Sequence, residues 1–501
     1  MSSRKRRQLV VAAVLAALAV AALRDLSRLG AGAPWRTMDD FPDFYCAGWA
    51  LDRGANPYTY EPLHTCERRV NVGDTFRGQL FAHNPWVAFP APLPAYDFFP
   101  FMALGRLSLD KARVIDAAAI VASIALTALA LAGLGIPLDV SVAALLLSTG
   151  FVELNTGQVI PFALLALVLC GLLLERGNDR LAGIFAVVTS IEPIVGVPVI
   201  AATLCFVPRA RWTVVLTGGI FALLALRAVG GPVLLEYAVR VVPAQAASEI
   251  HFPFQYSLTY ALAYFGFSPG LARLAGALSY LALLVIGLLL APRVTSVAGR
   301  RELLVFVPAF CCVIGGAYLH QEELCFALPA LLALAVNLRG LPRTVFAIAL
   351  CVLSVPWILV WGMKQLFAAS IFVCSFILLR LRVTRWPALC ALCAIVLVTY
   401  AFELHPPYLP VPAASSQAYA SNDLVQNEWR DYAQGRSTGN ALWLAIKFPT
   451  WAALLAALAM MVRCSFPPRL ASVSSLESLR ETPRRRPASR RARTGLSDDR
   501  L

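Results

Sequence analysis

Apolar runs of about 20 residues, each long enough to cross the hydrocarbon of a bilayer as a helix, recur along most of this chain. Examples are Gln8 to Leu23, Lys111 to Leu134, Leu271 to Leu290 and Leu442 to Met461. No water reaches the hydrocarbon to satisfy a peptide group, so only helices and closed barrels span it. Barrel strands alternate apolar and polar residues, whereas these runs are continuously apolar. The expected fold is therefore all-α, a polytopic integral membrane protein. Composition agrees, because 59% of the 501 residues are hydrophobic and only 14% are charged. A soluble chain of this length needs far more charge to cover its surface.

The net charge of +14 would suit nucleic acid, but its distribution argues otherwise. The basic residues sit in Arg4-Lys5-Arg6-Arg7, in short loops between apolar runs, and in the tail around Arg484 to Arg493. That pattern follows the positive-inside rule and attraction to anionic membrane lipids. Membrane lipids are thus expected partners and nucleic acid is not.

The start of the chain resembles a signal peptide, but its long apolar core and the need to orient later spans favour an uncleaved first span. With Arg4 to Arg7 in the cytoplasm, residues 1–24 form a basic segment and first helix. Residues 25–109 form a long external loop, rich in Tyr, Trp and Phe and expected to be ordered at the interface. Residues 110–463 form the multi-span bundle, and residues 464–501 a basic cytoplasmic tail expected to be disordered. The run Leu181 to Val207 obeys the charge rule only as two half-helices that break at Glu192-Pro193 near the external side. Gly230 to about Tyr256 and Glu403 to Asn440 are expected as external segments. About fourteen segments result, with both termini cytoplasmic and the protein in the cell membrane.

The charge rule, applied without regard to polar side chains, places every polar cluster opposite the cytoplasm. These are Asp39, Asp40 and Asp43; Asn155 and Gln158; Glu192; Gln255 and Ser257; and His320 with Glu322 and Glu323. One cavity at the external membrane face is implied. Each cluster also has a plainer explanation. Asp is common at helix starts, Asn155-Thr156-Gly157-Gln158 can be an ordinary turn, and His320 can be an interfacial histidine. Gln255-Tyr256-Ser257 says little alone. Glu192 is harder to dismiss, since a carboxylate at a helix break in apolar sequence needs a partner or water. Three carboxylates crowded at one membrane edge favour function, and such a group can act as a general base on a hydroxyl.

Most of the 12 cysteines lie within apolar runs and read as small packing residues. Cys46 and Cys66 fall in the first polar loop and can pair if it faces an oxidising compartment. There is no Walker A pattern, no H-E-x-x-H or Cys/His metal spacing, and no G-x-S-x-G elbow. No cofactor and no metal are expected, although Asp39, Asp40 and Asp43 could offer ligands to one.

Several short stretches, in order, resemble the polyprenol-phosphate-mannose-dependent mannosyltransferases of glycosyltransferase family 87, in the GT-C superfamily. They are Asp43-Phe44-Tyr45 with Ala47-Gly48, Gly54-Ala55-Asn56-Pro57-Tyr58, Phe89-Pro90-Ala91-Pro92-Leu93, Asn155-Thr156-Gly157-Gln158-Val159, Asp179-Arg180-Leu181-Ala182-Gly183, and His320 with the run into Leu328-Pro329-Ala330. Where that family usually has Lys-Pro, this chain has Glu192-Pro193, and its Asn-Gln-Ser motif is Gln255-Tyr256-Ser257 here. The resemblance implies a GT-C-like helical bundle and a hexosyltransferase. It would move a hexose, mannose by analogy, from a polyprenyl-phosphate sugar donor to a hydroxyl of a glycan or glycolipid acceptor. Asp43 would be the catalytic base. Asp39, Asp40, Tyr45, Asn155, Gln158, Glu192, Gln255, Ser257 and His320 would bind substrate. The competing expectation is a multi-span transporter or lipid flippase without enzymatic activity. It should show an internal repeat and polar residues near mid-bilayer in both halves, and no clear repeat is visible.

Overall fold

A computed structural model describes residues 38–71, 91–252, 254–360, 364–383 and 441–466, with scattered positions between 72 and 90 and between 386 and 396. The basic N-terminal run, the expected first span, the segment 403 to 440 and the basic tail lie outside these residues.

The chain is an all-α polytopic membrane protein. Two helices of the first loop come first, α1 (Phe41–Asp52) and α2 (Tyr60–Val70), followed by the short α3 (Phe98–Leu104). Then come α4 (Leu109–Gly133) and α5 (Leu138–Thr156), which passes through a wider π segment at Leu146–Phe151. α6 is Ile160–Glu175, and α7 (Asp179–Val188) and α8 (Pro193–Phe206) are the two halves of a broken unit. α9 (Arg211–Glu236), α10 (Val242–Ser248) and α11 (Leu258–Tyr264) lead to the long α12 (Pro269–Ala298) and to α13 (Leu303–Cys312). α14 (Leu328–Asn337), α15 (Gly340–Leu353), α16 (Lys364–Arg380) and α17 (Ala441–Ser465) complete the described part.

Five described helical stretches are long and apolar enough to cross a membrane, and five shorter apolar helices accompany them. The expected figure of about fourteen segments also includes runs outside the described residues and runs that are short or broken as folded. The expected external segment from Gly230 to about Tyr256 is largely helical, since α9 continues to Glu236 and a π turn at Tyr237–Val241 feeds α10. The chain bends at Gly230, and Pro232 restarts the helix, because its fixed φ suits a first turn.

Lipid exposure is visible in the pattern of outward side chains. On α12, Leu271, Leu274, Leu278, Leu281, Val285 and Leu289 are exposed at three- and four-residue spacing, one continuous apolar stripe. The opposite side carries small residues, as expected where membrane helices approach closely. At Gly276, an added Cβ would lie 2.1 Å from Thr259 Oγ1 of α11 and 2.6 Å from the Gly316 carbonyl, in the connector after α13.

The first loop has its own core, in which Phe41, Phe44, Phe98 and Phe101 pack with Ala112, Ala117 and Ile120 of α4. A disulfide between Cys46 and Cys66 joins α1 to α2.

The ends of the helices differ in charge. Arg301 binds Asp179 at 2.9 Å, and its backbone N–H donates to Glu175 at 2.8 Å, while Arg300 binds Glu302 at 2.8 Å. Arg380 pairs with Asp139. These pairs gather the starts of α5, α7 and α13 and the ends of α6 and α16. The other ends of α5, α6 and α13 lead to the acidic clusters.

Candidate functional site

The acidic island is built onto the turn after α5. Backbone N–H groups of Asp39 and Asp40 donate to the carbonyls of Asn155 (3.0 Å) and Thr156 (2.8 Å). Gln158 Nε2 donates to Asp40 Oδ2 at 2.6 Å. The turn closes at Gly157, whose φ of +76° lies in the left-handed region that glycine alone enters without strain. A Cβ there would also meet Phe41 Cβ at 2.8 Å and Met38 Cε at 3.0 Å. Thus two segments far apart in sequence are locked through the residues expected to bind substrate.

Asp43 sits buried in the first turn of α1, three residues after Asp40. That spacing puts both carboxylates on one side of the helix start. Tyr45 is otherwise engaged, since its hydroxyl donates to the Leu107 carbonyl at 2.7 Å and tethers α1 beyond α3.

The second half of the site forms where residue 255 meets the connector after α13. Gln255 and His320 form an antiparallel bridge. The Tyr256 N–H donates to the Leu319 carbonyl at 2.6 Å, and the Leu319 N–H donates to Gln255 Oε1 at 2.9 Å. His320 Nε2 contacts Glu249, which also accepts from Gln255 Nε2 at 3.0 Å. His320 Nδ1 lies 3.2 Å from the Tyr318 hydroxyl, and its backbone N–H donates to Glu323 Oε2 at 2.6 Å. Ser257 caps α11 by accepting from the Tyr260 N–H at 3.2 Å, a sufficient structural role.

The break at Glu192-Pro193 is as expected, with Glu192 in extended conformation and its carboxylate accepting from the Ile194 N–H at 3.4 Å. Glu192 lies within electrostatic reach of Glu323 and His320, and Glu322 within reach of Asp40. The two halves therefore share one acidic region.

Glu153, on the last turn of α5, is the residue that sequence reasoning passed over at its centre. It is fully buried, and neither carboxylate oxygen has a hydrogen-bond partner among the described residues. Glu322, Glu323, Asp40 and Glu192 all lie within its electrostatic reach. Glu249, in the segment expected to be external, has no neighbour in sequence that marks it out. Arg113 was missed as well, and its guanidinium lies within reach of Asp110 and Asp39. Asp97, near Tyr58, Tyr96 and Glu192, was hidden in an aromatic run, and burial, with Glu192 adding to it, pushes its carboxyl well above the usual range. Lys447 of α17 is buried against the rings of Tyr256 and Tyr260, and Trp451 Nε1 donates to the Tyr256 carbonyl at 2.9 Å. A lone lysine in an apolar run gives no spacing to read.

The connector holding His320 lies outside the apolar helices. Burial alone would pull its imidazolium down, but the carboxylate of Glu249 and the bond to it, then Glu323 and Glu322, outweigh that and push it up to about 10. Tyr318 and Glu192 complete the titratable groups around it. His320 is therefore cationic at neutral pH.

The sign of the pH dependence follows. A raised histidine value stabilises the fold fully below the unfolded value of 6.5, and that stabilisation is lost as pH rises through about 10. The thermal midpoint in micelles should fall across that window, and less so in His320→Gln. Parallel profiles for the two proteins would refute the assignment.

Comparison of the chain with family models, curated proteins and solved structures gave no match.

Proposed function

We propose that this protein is a membrane-embedded glycosyltransferase. It moves a hexose, mannose by the resemblance, from a polyprenyl-phosphate donor to an acceptor hydroxyl of a glycan or glycolipid. One observation carries the reading. Segments near residues 40, 155, 192, 255 and 320, each singled out by chemistry, converge at one end of the apolar helices. A lipid-linked sugar reaches such a place from the bilayer, so no nucleotide site is needed.

In this reading Asp43 takes the proton of the acceptor hydroxyl as its oxygen attacks the anomeric carbon. The bond from that carbon to the phosphate oxygen breaks, and the lipid phosphate leaves. His320, whose ring nitrogens already face Glu249 and Tyr318, lends positive charge rather than a hydrogen bond to the phosphate, and the Arg113 guanidinium adds a second. The Cys46–Cys66 disulfide supports an oxidising, extracytoplasmic location for this end. The Arg300, Arg301 and Arg380 end would then face the cytoplasm, as the positive-inside rule expects.

The test is transfer of label from a series of polyprenyl-phosphate hexoses in membranes containing this chain. Chain-dependent transfer from at least one donor is expected, and none from any donor would defeat the reading. The broken unit at Glu192 and the buried carboxylates give some support to a transporter, since discontinuous helices line transport sites. Solute uptake by proteoliposomes without sugar transfer would favour that alternative.

A further inference from the structure

We infer that His320, Glu322 and Glu323 form a divalent-cation site, closed from behind by the buried carboxylate of Glu153. The inference does not depend on the transferase reading.

The three residues each present one ligand atom, and these atoms lie within 4.8 Å of one another. One imidazole nitrogen and two carboxylates suit manganese, zinc or magnesium better than a soft metal. The histidine is arranged as a ligating histidine usually is. Nε2 faces the Glu249 carboxylate, which is itself held by Gln255, so Nδ1 is left as the ligand atom. Nδ1 has only the Tyr318 hydroxyl, at 3.2 Å.

Glu153 is an independent sign. It arrives on a different helix, is fully buried, and lacks any hydrogen-bond partner among the described residues. Glu322 and Glu323 head the charged groups within its reach. The buried Oε2 of Glu322 is also without a hydrogen-bond partner among the described residues. A buried carboxylate without a donor costs several kcal/mol unless protonated or bound to a cation. Glu249, Glu322 and Glu323 lie within reach of His320, and Glu322, Glu323, Asp40 and Glu192 within reach of Glu153. A dication offsets that excess where one imidazolium cannot.

In the sequence His320, Glu322 and Glu323 stand out as a polar cluster but not as ligands, since His320-Gln321-Glu322-Glu323 matches no familiar ligand spacing, and Glu153 is added only by folding.

The experiment uses full-length protein in nanodiscs, stripped with chelator and titrated with Mn²⁺ alone, with free Mn²⁺ read by electron paramagnetic resonance. One saturable Mn²⁺ per chain is expected, with affinity reduced at least about tenfold in His320→Asn, Glu322→Gln and Glu153→Gln. Asp179→Asn, at the basic end, should bind as wild type. Wild-type protein should also gain thermal stability with added Mn²⁺, a measurement that needs no variant. Absence of saturable binding, or binding that all three variants leave unchanged, would overturn the site and assign the neutralisation to protons.

Discussion

Asp43→Asn should abolish most sugar transfer while leaving the protein folded. The amide keeps the shape of the carboxylate but cannot accept the hydroxyl proton. The expected loss is about 10²- to 10⁴-fold in turnover, the usual contribution of a positioned general base. The donor KM should change little, because the proton moves only as the new bond forms. Asp40→Asn serves as the comparison. Its Oδ2 already accepts from Gln158 at 2.6 Å, so its loss should loosen the island rather than remove the base. Full turnover by Asp43→Asn in membranes that transfer normally would take Asp43 out of the mechanism.

The second large effect belongs to a residue with no chemistry of its own. Gly157→Ala faces two penalties. The left-handed φ of +76° disfavours any side chain, and the new Cβ would sit 2.8 Å from Phe41 Cβ. Strain of ~1–2 kcal/mol and overpacking of ~1–3 kcal/mol give a combined destabilisation on the order of 2–5 kcal/mol. The clash moves Phe41 and with it the start of α1, so transfer should fall as well. Phe41→Ala in the same chain should restore none of the stability, because alanine keeps the Cβ that the new methyl meets and leaves a cavity in the core. A Gly157→Ala protein that unfolds with the wild type in micelles would show that the turn relaxes freely.

What could be read from the sequence, and what could not, divides along physical lines. The apolar runs give both ends of α4 and the starts of α12 and α17 closely, because hydrocarbon length and continuous hydropathy leave little choice, while α12 and α17 run on past the expected ends to Ala298 and Ser465. The break at Glu192-Pro193 followed from charge parity, and α7 and α8 meet there. The stretch after Gly230 was lost because a Gly-Gly-Pro signal usually ends a helix, and here it only bends one. Among site residues, the shared face grouped Asp40, Gln158, Gln255 and His320 but implied no pairing of Asp40 with Gln158 or of Gln255 with His320. Glu153, Glu249 and Arg113 stayed hidden for a different reason. Each is a single charged residue whose meaning comes from partners that only folding brings near, Glu322 for Glu153, His320 for Glu249 and Asp39 for Arg113. Tyr45 and Ser257 are motif members whose hydroxyls meet backbone, the Leu107 carbonyl and the Tyr260 N–H.

The contact at Gly276 has a mechanical meaning. Thr259 and the Gly316 carbonyl press against bare backbone there, so the connector that bears His320 rests on α12 with no room to slide. The island bearing Asp43 is backed as closely, with Gly157 against Phe41 and Met38 and the first-loop aromatics packed on α4. Both walls are therefore stiff, an anvil on either side. A cysteine cross-link pinning α1 to the 155–158 turn, or one between α11 and α12, should leave turnover unchanged. Loss of turnover with either would show that its wall moves.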